Sequence, residues 1–185
     1  MNFNRKFVLS VIIIGAVLAA PFFTGRIVIN ISPSVPLGFW WISDDEFTYG
    51  DVVQLPLEAF KFTDWVPEIY RRKDKRGREI PFLKRIAGLP GDLIELSSEG
   101  YEIAAGKILN HSAVLSMDNI GNKLETYPLP IRLASDEVWL TSDVARGFDS
   151  RYLGPARIDK CRKAVLIFTS DLVFENKERE MKTSQ

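Results

Sequence analysis

The sequence predicts a mainly β domain that follows one N-terminal apolar helix. Residues 7–23 read FVLSVIIIGAVLAAPFF and contain no charged side chain, which is typical of a helix in an apolar environment. Beyond residue 30, short apolar runs alternate with Gly, Pro and Asp, which is the pattern of short strands joined by turns. The chain has 185 residues, of which 46% are hydrophobic and 26% charged, so it has room for one folded domain and one helix.

The uncharged segment at residues 7–25 predicts a single transmembrane anchor. A helix of this length spans about 26 to 28 Å, close to the ~30 Å hydrocarbon core of a lipid bilayer. Arg5 and Lys6 precede the segment. The positive-inside rule therefore leaves residues 1–6 in the cytoplasm and carries the rest across the inner (cytoplasmic) membrane to its periplasmic face.

A cleaved signal peptide is the alternative interpretation of the same segment, since a basic start and an apolar run also mark such peptides. The expected cleavage site is poor, because Leu18-Ala19-Ala20 is followed by Pro21. We therefore expect the anchor to be retained.

The exported part is predicted to be one antiparallel β domain over residues 26–172, followed by a polar tail at 173–185. Residues 57–70 contain a possible short helix, which Pro67 limits. Apolar runs bounded by turn residues predict strands at 52–55, 82–87, 93–96, 138–140 and 164–168.

The balanced charge and the single cysteine and histidine exclude several classes of protein. Lys and Arg number 24 and Asp and Glu 24, so the basic excess of a general nucleic-acid binder is missing. One cysteine, Cys161, and one histidine, His111, exclude an intrachain disulfide, a Cys-cluster metal site and a multi-histidine site. We expect no metal and no cofactor, and a histidine-based hydrolase would depend on His111 alone.

A basic segment at residues 71–78 reads RRKDKRGR, with six basic residues and one acid. One interpretation is an electrostatic contact with anionic lipid or an acidic partner. The other, which charge runs usually favour, is a solvated loop or hairpin tip.

Three stretches carry the candidate chemistry, and the first is residues 31–41. Ser32 and Ser34 bracket one proline, and a second proline follows, so the segment is rigid and irregular and can hold a hydroxyl in place. Ser34 lies eight residues beyond Arg26, a distance of at most about 29 Å, so it would act close to the membrane surface. A Pro-rich linker is the alternative.

The second stretch, residues 81–92, contains Lys84 within an apolar run. Strand alternation places Phe82, Lys84 and Ile86 on one face, where the apolar neighbours can desolvate the amine. Desolvation lowers a lysine pKa and makes the residue a possible general base. An exposed edge-strand lysine is the alternative.

The third stretch, residues 142–155, contains Asp149 and Arg151 between two glycines. The two charges are close enough in sequence to pair with each other or to brace a neighbouring loop. A structural loop would also explain the pattern.

Together, and in this order, the three stretches resemble the type I signal peptidase superfamily of Ser-Lys proteases. The sequence LKRIAGLPGD at 83–92 is similar to the lysine box of that family, and FDSRYLGP at 148–155 is similar to its C-terminal box. SVPLG at 34–38 departs from the Ser-Met-x-Pro of general signal peptidases. It is closer to the Ser-x-Pro-x-Gly of the conjugative-transfer branch called TraF. The resemblance covers residues 33–155 and implies a signal-peptidase-like antiparallel β domain.

The resemblance also implies the roles of individual residues. Ser34 would be the nucleophile and Lys84 the general base, a known variant of the serine-protease scheme. The Ser34 backbone N–H and the Ser32 hydroxyl would stabilise the oxyanion. Structural support of the site would come from Arg85, Asp149, Ser150 and Arg151.

One position departs from the family pattern, because many members have a serine that helps to orient the lysine where this chain has Gly147. Ser142, Ser150 or a water would then orient Lys84.

The implied function is that of a membrane-anchored serine endopeptidase that processes an exported preprotein or propilin. In the TraF branch this is pilin maturation, by removal of a leader or terminal segment with or without cyclisation, beside components of a secretion or conjugation apparatus. A non-catalytic anchored β scaffold is the alternative, although a degenerate copy is expected to lose Ser34 or Lys84. An autoproteolytic repressor-type regulator lacks support, because no DNA-binding helical domain precedes the catalytic region.

Overall fold

A computed structural model describes residues 3–118 and 120–169 and contains two antiparallel sheets. Within these residues there are two α-helices, α1 (Phe3–Phe23) and the short α2 (Ser150–Leu153). The strands are β1 (Ile27–Asn30), β2 (Gly38–Ser43), β3 (Val52–Leu55), β4 (Phe82–Gly88), β5 (Leu93–Leu96), β6 (Tyr101–Ala104), β7 (Lys107–Ala113), β8 (Ile131–Arg132), β9 (Glu137–Thr141), β10 (Ala156–Arg157) and β11 (Arg162–Thr169).

Helix α1 ends where the chain turns into the first strand. The amides of Thr24 and Arg26 bond back to carbonyls of the last helical turn, and Gly25 adopts a positive φ of 70°, as glycine does after many helices. Apolar side chains such as Phe7 and Ile12 are exposed. Among the described residues, no helix is long and apolar enough for a membrane span. The predicted N-terminal helix is present. The transmembrane anchor predicted at residues 7–25 is not supported.

The larger sheet has seven strands in the order β1-β2-β11-β3-β4-β9-β10 and holds the main core. β4 lies between β3 and β9, with Lys84 opposite Val53 and Arg85 opposite Thr141. The edge strand β1 pairs with β2 alone among the described strands. Side chains such as Val53, Ile86 and Leu140 alternate into the core, as the period of a strand requires.

The smaller sheet has four strands in the order β7-β6-β5-β8. Ile94, Ala104 and Leu133, the residue after β8, pack around Trp139 of β9. The smaller sheet therefore contacts the strand that pairs with β4, which contains Lys84.

The mainly β, antiparallel prediction is confirmed, and each of the five predicted strands is present. The possible short helix within residues 57–70 is present only in 3₁₀ form. This segment forms two single 3₁₀ turns, Leu57–Ala59 and Glu68–Tyr70, each preceded by a proline. The backbone of His111 lies in β7. The end of the predicted domain, 170–172, and the tail at 173–185 fall outside the described residues.

Candidate active site

The loop between β1 and β2 is held by one asparagine. The side-chain amide of Asn30 donates to the carbonyls of Ser32 (2.8 Å), Val35 (3.0 Å) and Pro36 (3.1 Å). Its carbonyl oxygen accepts from the Ser32 amide at 3.0 Å. Asn30 is 9% exposed, so these bonds are shielded from water. Asn30 therefore fixes the backbone on both sides of Ser34.

Within this loop, the two serine hydroxyls lie against each other. Ser32 Oγ and Ser34 Oγ are 2.8 Å apart and share a hydrogen bond. The Ser34 carbonyl accepts from the backbone amide of Asp143 at 2.7 Å. The candidate nucleophile is thus tied on one side to Ser32 and on the other to the segment that follows β9.

Gly38 has a steric reason to be glycine. It has a φ of +145°, and a Cβ there would lie 2.0 Å from the Phe168 carbonyl oxygen of β11. The last residue of the SVPLG motif is therefore the point where β2 and β11 come too close for any side chain.

Lys84 is a buried residue of a central strand, not an exposed edge lysine. It is 2% exposed, and its Nζ donates to Ser142 Oγ at 2.9 Å. The same nitrogen lies 5.7 Å from the centre of the Phe82 ring. Burial lowers the pKa of Lys84 to about 8, partly opposed by the negative charge of Asp149. An amine with this pKa is neutral in an appreciable fraction near physiological pH.

Asp149 and Arg151 form a buried ion pair that organises the end of the third stretch. Both side chains are fully buried, and Arg151 Nε donates to Asp149 Oδ1 at 2.8 Å. Arg151 also donates to the carbonyls of Ala113, Ala145 and Gly147. The two residues therefore pair with each other and also brace the neighbouring loop, which were the two possibilities that their spacing left open.

This ion pair reaches the lysine through Ser142. Asp149 Oδ2 accepts from the Ser142 amide at 3.0 Å, which fixes the residue that bonds Lys84 Nζ. Ser150 is fully buried and accepts from the Leu140 amide at 2.9 Å, so it ties α2 to β9. Among the described residues, the lysine amine donates its hydrogen bond to Ser142 and not to Ser150.

Arg85 pairs with Asp143, next in sequence to Ser142. Its Nε and terminal nitrogen donate to the two carboxylate oxygens at 2.7 and 2.6 Å, a bidentate pair. Because Asp143 also bonds the Ser34 carbonyl, two consecutive residues connect the lysine side chain with the serine loop. We call Ser142 and Asp143 the connecting segment.

Ser34 and Lys84 line one groove of about 430 Å³. Among the described residues no hydrogen bond joins Ser34 Oγ to Lys84 Nζ, and each atom bonds another serine hydroxyl instead. The groove walls are mostly apolar, with Ile29, Ile31, Ile69, Ile80, Phe82 and Phe148 among the lining side chains. Such a groove suits an extended peptide with apolar side chains.

Gly147 lies where a side chain would collide with the lysine's partner. A Cβ at this position would lie 2.1 Å from both Cβ and Oγ of Ser142. The hydroxyl that bonds Lys84 therefore occupies the space that a side chain at residue 147 would need. This geometry accounts for the departure from the family pattern at Gly147.

Two residues of the site were missed in the sequence. Asn30 has a weak signal, because an asparagine two residues before a serine can form an Asx turn. Asp143 had no signal at all, since its partners Arg85 and Ser34 are far away in sequence. Within the part of the chain that the structure describes, no group of three or more His, Cys, Asp or Glu residues could hold a metal.

Comparison with known proteins agrees with this geometry. The family described as "Signal peptidase, peptidase S26" matches residues 2–168. The conjugal transfer protein TraF of Agrobacterium tumefaciens (strain 15955) is 32% identical over 145 residues, which cover 75% of this chain and 79% of that protein. The plasmid transfer protein TraF of Escherichia coli is 30% identical over 131 residues, 69% of this chain and 73% of that protein. The resemblance seen in the three motifs is confirmed, and the chain belongs to the signal peptidase family S26, whose members are serine peptidases of the signal peptidase type.

Proposed function

We propose that this protein is a Ser-Lys endopeptidase of a conjugation system that cleaves an exported protein, such as a pilin precursor, on the extracytoplasmic side of the inner membrane. The single observation that carries the proposal is a buried lysine of pKa about 8 that lines the same groove as Ser34. The names of the TraF relatives support a role in conjugal transfer.

In the proposed mechanism, Ser34 Oγ attacks the scissile carbonyl carbon and its proton passes to the neutral amine of Lys84. The direct bond between these two side chains forms in the substrate complex, as catalytic hydrogen bonds often do. The lysine then gives the proton to the leaving amine, which departs from the acyl-enzyme. A water molecule completes hydrolysis, whereas an amine of the substrate itself would give a circular product.

The oxyanion of the tetrahedral intermediate needs donors in a dry site. We assign the Ser34 backbone N–H and the Ser32 hydroxyl to this role, and the 2.8 Å contact between the two hydroxyls supports it because it keeps Ser32 beside the reacting oxygen. One such donor is typically worth about 10²–10³ in rate.

The test is processing of candidate exported proteins of the same conjugation system. Cells or purified full-length chain should convert the precursor into a shorter form, and Ser34→Ala should leave it unprocessed. Mass spectrometry of the product distinguishes a linear from a circular chain. If neither the unaltered purified chain nor Ser34→Ala processes the precursor, the chain is a scaffold. If both process it equally, cleavage works by other chemistry.

The pH dependence of cleavage should follow the titration of Lys84. Because the neutral amine is the active form, kcat/KM should rise about tenfold per pH unit below about pH 8 and level off above it. A pH series from 6 to 10 on one peptide checks this. A rate that falls as the pH rises through 8 would contradict a neutral lysine base.

Ser142 should act as a positioning residue for Lys84. Leaving a buried donor without its partner costs about 1–3 kcal/mol, so Ser142→Ala should lower kcat by roughly 5- to 100-fold with little change in KM. Single-turnover cleavage separates this effect from product release.

Moving the hydroxyl from residue 142 to residue 147 gives a rescue experiment. Gly147→Ser alone should lose activity, because its Cβ would overlap Ser142 at 2.1 Å. In Ser142→Gly combined with Gly147→Ser, the hydroxyl enters the same space from the other side and should restore most of the rate. A double variant no better than Ser142→Ala would assign Ser142 a packing role only.

A further inference from the structure

We propose that the groove selects peptides that carry a negative charge beside an apolar segment, through Arg72 and Arg146. This inference rests on the proposed peptidase function and names the chemistry of its substrate. It starts from the charges of the groove lining, which the catalytic scheme does not use.

The groove has basic side chains and no acidic one among the described residues that line it. Arg72 and Arg146 line it together with Ser34 and Lys84. Both arginines are exposed, so their guanidinium groups are accessible to a bound chain. Three acidic groups close to the groove already have partners. Asp143 pairs with Arg85, Asp149 pairs with Arg151, and Asp118 accepts a hydrogen bond from the hydroxyl of Tyr70, a groove residue.

The basic segment at 71–78 divides into paired and unpaired charges. Arg71, Lys73 and Arg78 form ion pairs with Glu79, Glu68 and Asp74, respectively. Among the described residues, Arg72 has no ion-pair partner, and neither has Arg146 on the opposite stretch of chain. The segment is thus a loop, as its charge run suggested, and it also contributes one unpaired arginine to the groove.

Apolar walls and unpaired cations together describe the ligand. An extended peptide would place apolar side chains against residues such as Ile31, Ile80 and Phe82, and a nearby Asp, Glu or terminal carboxylate would meet the arginines. A peptide of the same shape without the acid would leave both guanidinium groups with water. The expected difference is modest, roughly twofold to fivefold for each exposed arginine.

The experiment uses the full chain in a non-ionic detergent and two sets of fluorescent peptides with the same apolar sequence. In the first set, each peptide carries one Asp at a different position. In the second set, each peptide has Asn in place of that Asp. Binding is measured by fluorescence anisotropy on Ser34→Ala, and cleavage on the unaltered chain. At 0.05 M salt, the best Asp peptide should bind at least threefold more tightly than its Asn counterpart. The difference should vanish at 1 M salt, where the Debye length falls to about 3 Å.

The variants Arg72→Gln and Arg146→Gln should each reduce the preference for Asp, and the double variant should remove it. Arg76→Gln is the matched control, because Arg76 is an exposed basic residue of the same loop that is not part of the groove lining. If Arg76→Gln reduced the preference for Asp as much as Arg72→Gln or Arg146→Gln, the preference would come from the net charge of the protein, and the proposed subsite would be overturned.

Two further outcomes separate this inference from the proposed function. Equal binding of Asp and Asn peptides overturns the inference, even if both are cleaved. A binding preference for Asp without any cleavage leaves the subsite intact and contradicts the peptidase function. If the arginine variants instead lose binding to phosphatidylglycerol vesicles and the peptides show no preference, the arginines face anionic lipid and the inference is wrong.

Discussion

Lys84→Arg should abolish cleavage although it preserves the positive charge. A guanidinium cannot release its proton near neutral pH, so it cannot accept one from Ser34. The longer, planar group also has to fit a site where the lysine is 2% exposed. We expect Lys84→Arg to lower the cleavage rate by at least about 10³-fold, and Ser34→Ala to lower it by a similar factor. The double variant should be no worse than either single one, because the two residues act as one unit.

Lys160→Arg provides the matched control for this substitution. Lys160 is exposed in a 3₁₀ turn after β10 and should tolerate arginine without loss of rate. The opposite pattern has a clear meaning as well. If Lys84→Arg kept full activity and His111→Ala lost it, the Ser-Lys assignment would have to give way to a histidine-based mechanism.

Arg151→Met should cause the largest loss of stability. Arg151 and Asp149 are fully buried and bonded at 2.8 Å, so removing the cation leaves an uncompensated carboxylate in the core. Breaking a buried pair in this way typically costs about 3–5 kcal/mol in the free energy of unfolding. The loop carbonyls of Ala113, Ala145 and Gly147 lose a donor in the same substitution. Urea unfolding of the full chain, followed by tryptophan fluorescence, measures the change.

The pair formed by Arg157 and Asp159 supplies the comparison. It has a similar distance, 2.7 Å, but its side chains are 50% and 55% exposed. Arg157→Met should therefore lower the free energy of unfolding by no more than about 1 kcal/mol. Equal losses in the two variants would show that burial of the Asp149–Arg151 pair is not what makes it important.

The sequence could predict features that depend on neighbours along the chain. The alternation of Phe82, Lys84 and Ile86 correctly indicated a strand lysine with a lowered pKa, because a strand fixes which side chains share a face. The proline-rich serine segment was likewise expected to be irregular. The pairing of Ser34 with Lys84 comes from the family motifs, because no local pattern contains it, and it stays a prediction.

Features that depend on distant contacts could not be predicted in the same way. Lys84 bonds Ser142, which is 58 positions away, and the sequence alone leaves Ser142, Ser150 and water as candidates. The hairpin of β6 and β7 was missed for a different reason. Its turn residues, Ala105 and Gly106, have φ values of 47° and 73°, which is a conformation normally signalled by Asn-Gly or Asp-Gly. Alanine in the first position conceals the turn.

Lys84 and Ser34, the two residues of the proposed dyad, lie in parts of the fold with different resistance to local opening. Lys84 belongs to β4, whose backbone is bonded on both sides by β3 and β9. Ser34 follows β1, an edge strand, in a loop held by the Asn30 side chain and by the connecting segment. Central strands open only with the whole domain, whereas edges and loops open at a smaller cost in free energy. In the proposed catalytic pair, Lys84 is therefore held in a fixed position, and Ser34 is the residue that can move when a peptide enters the groove.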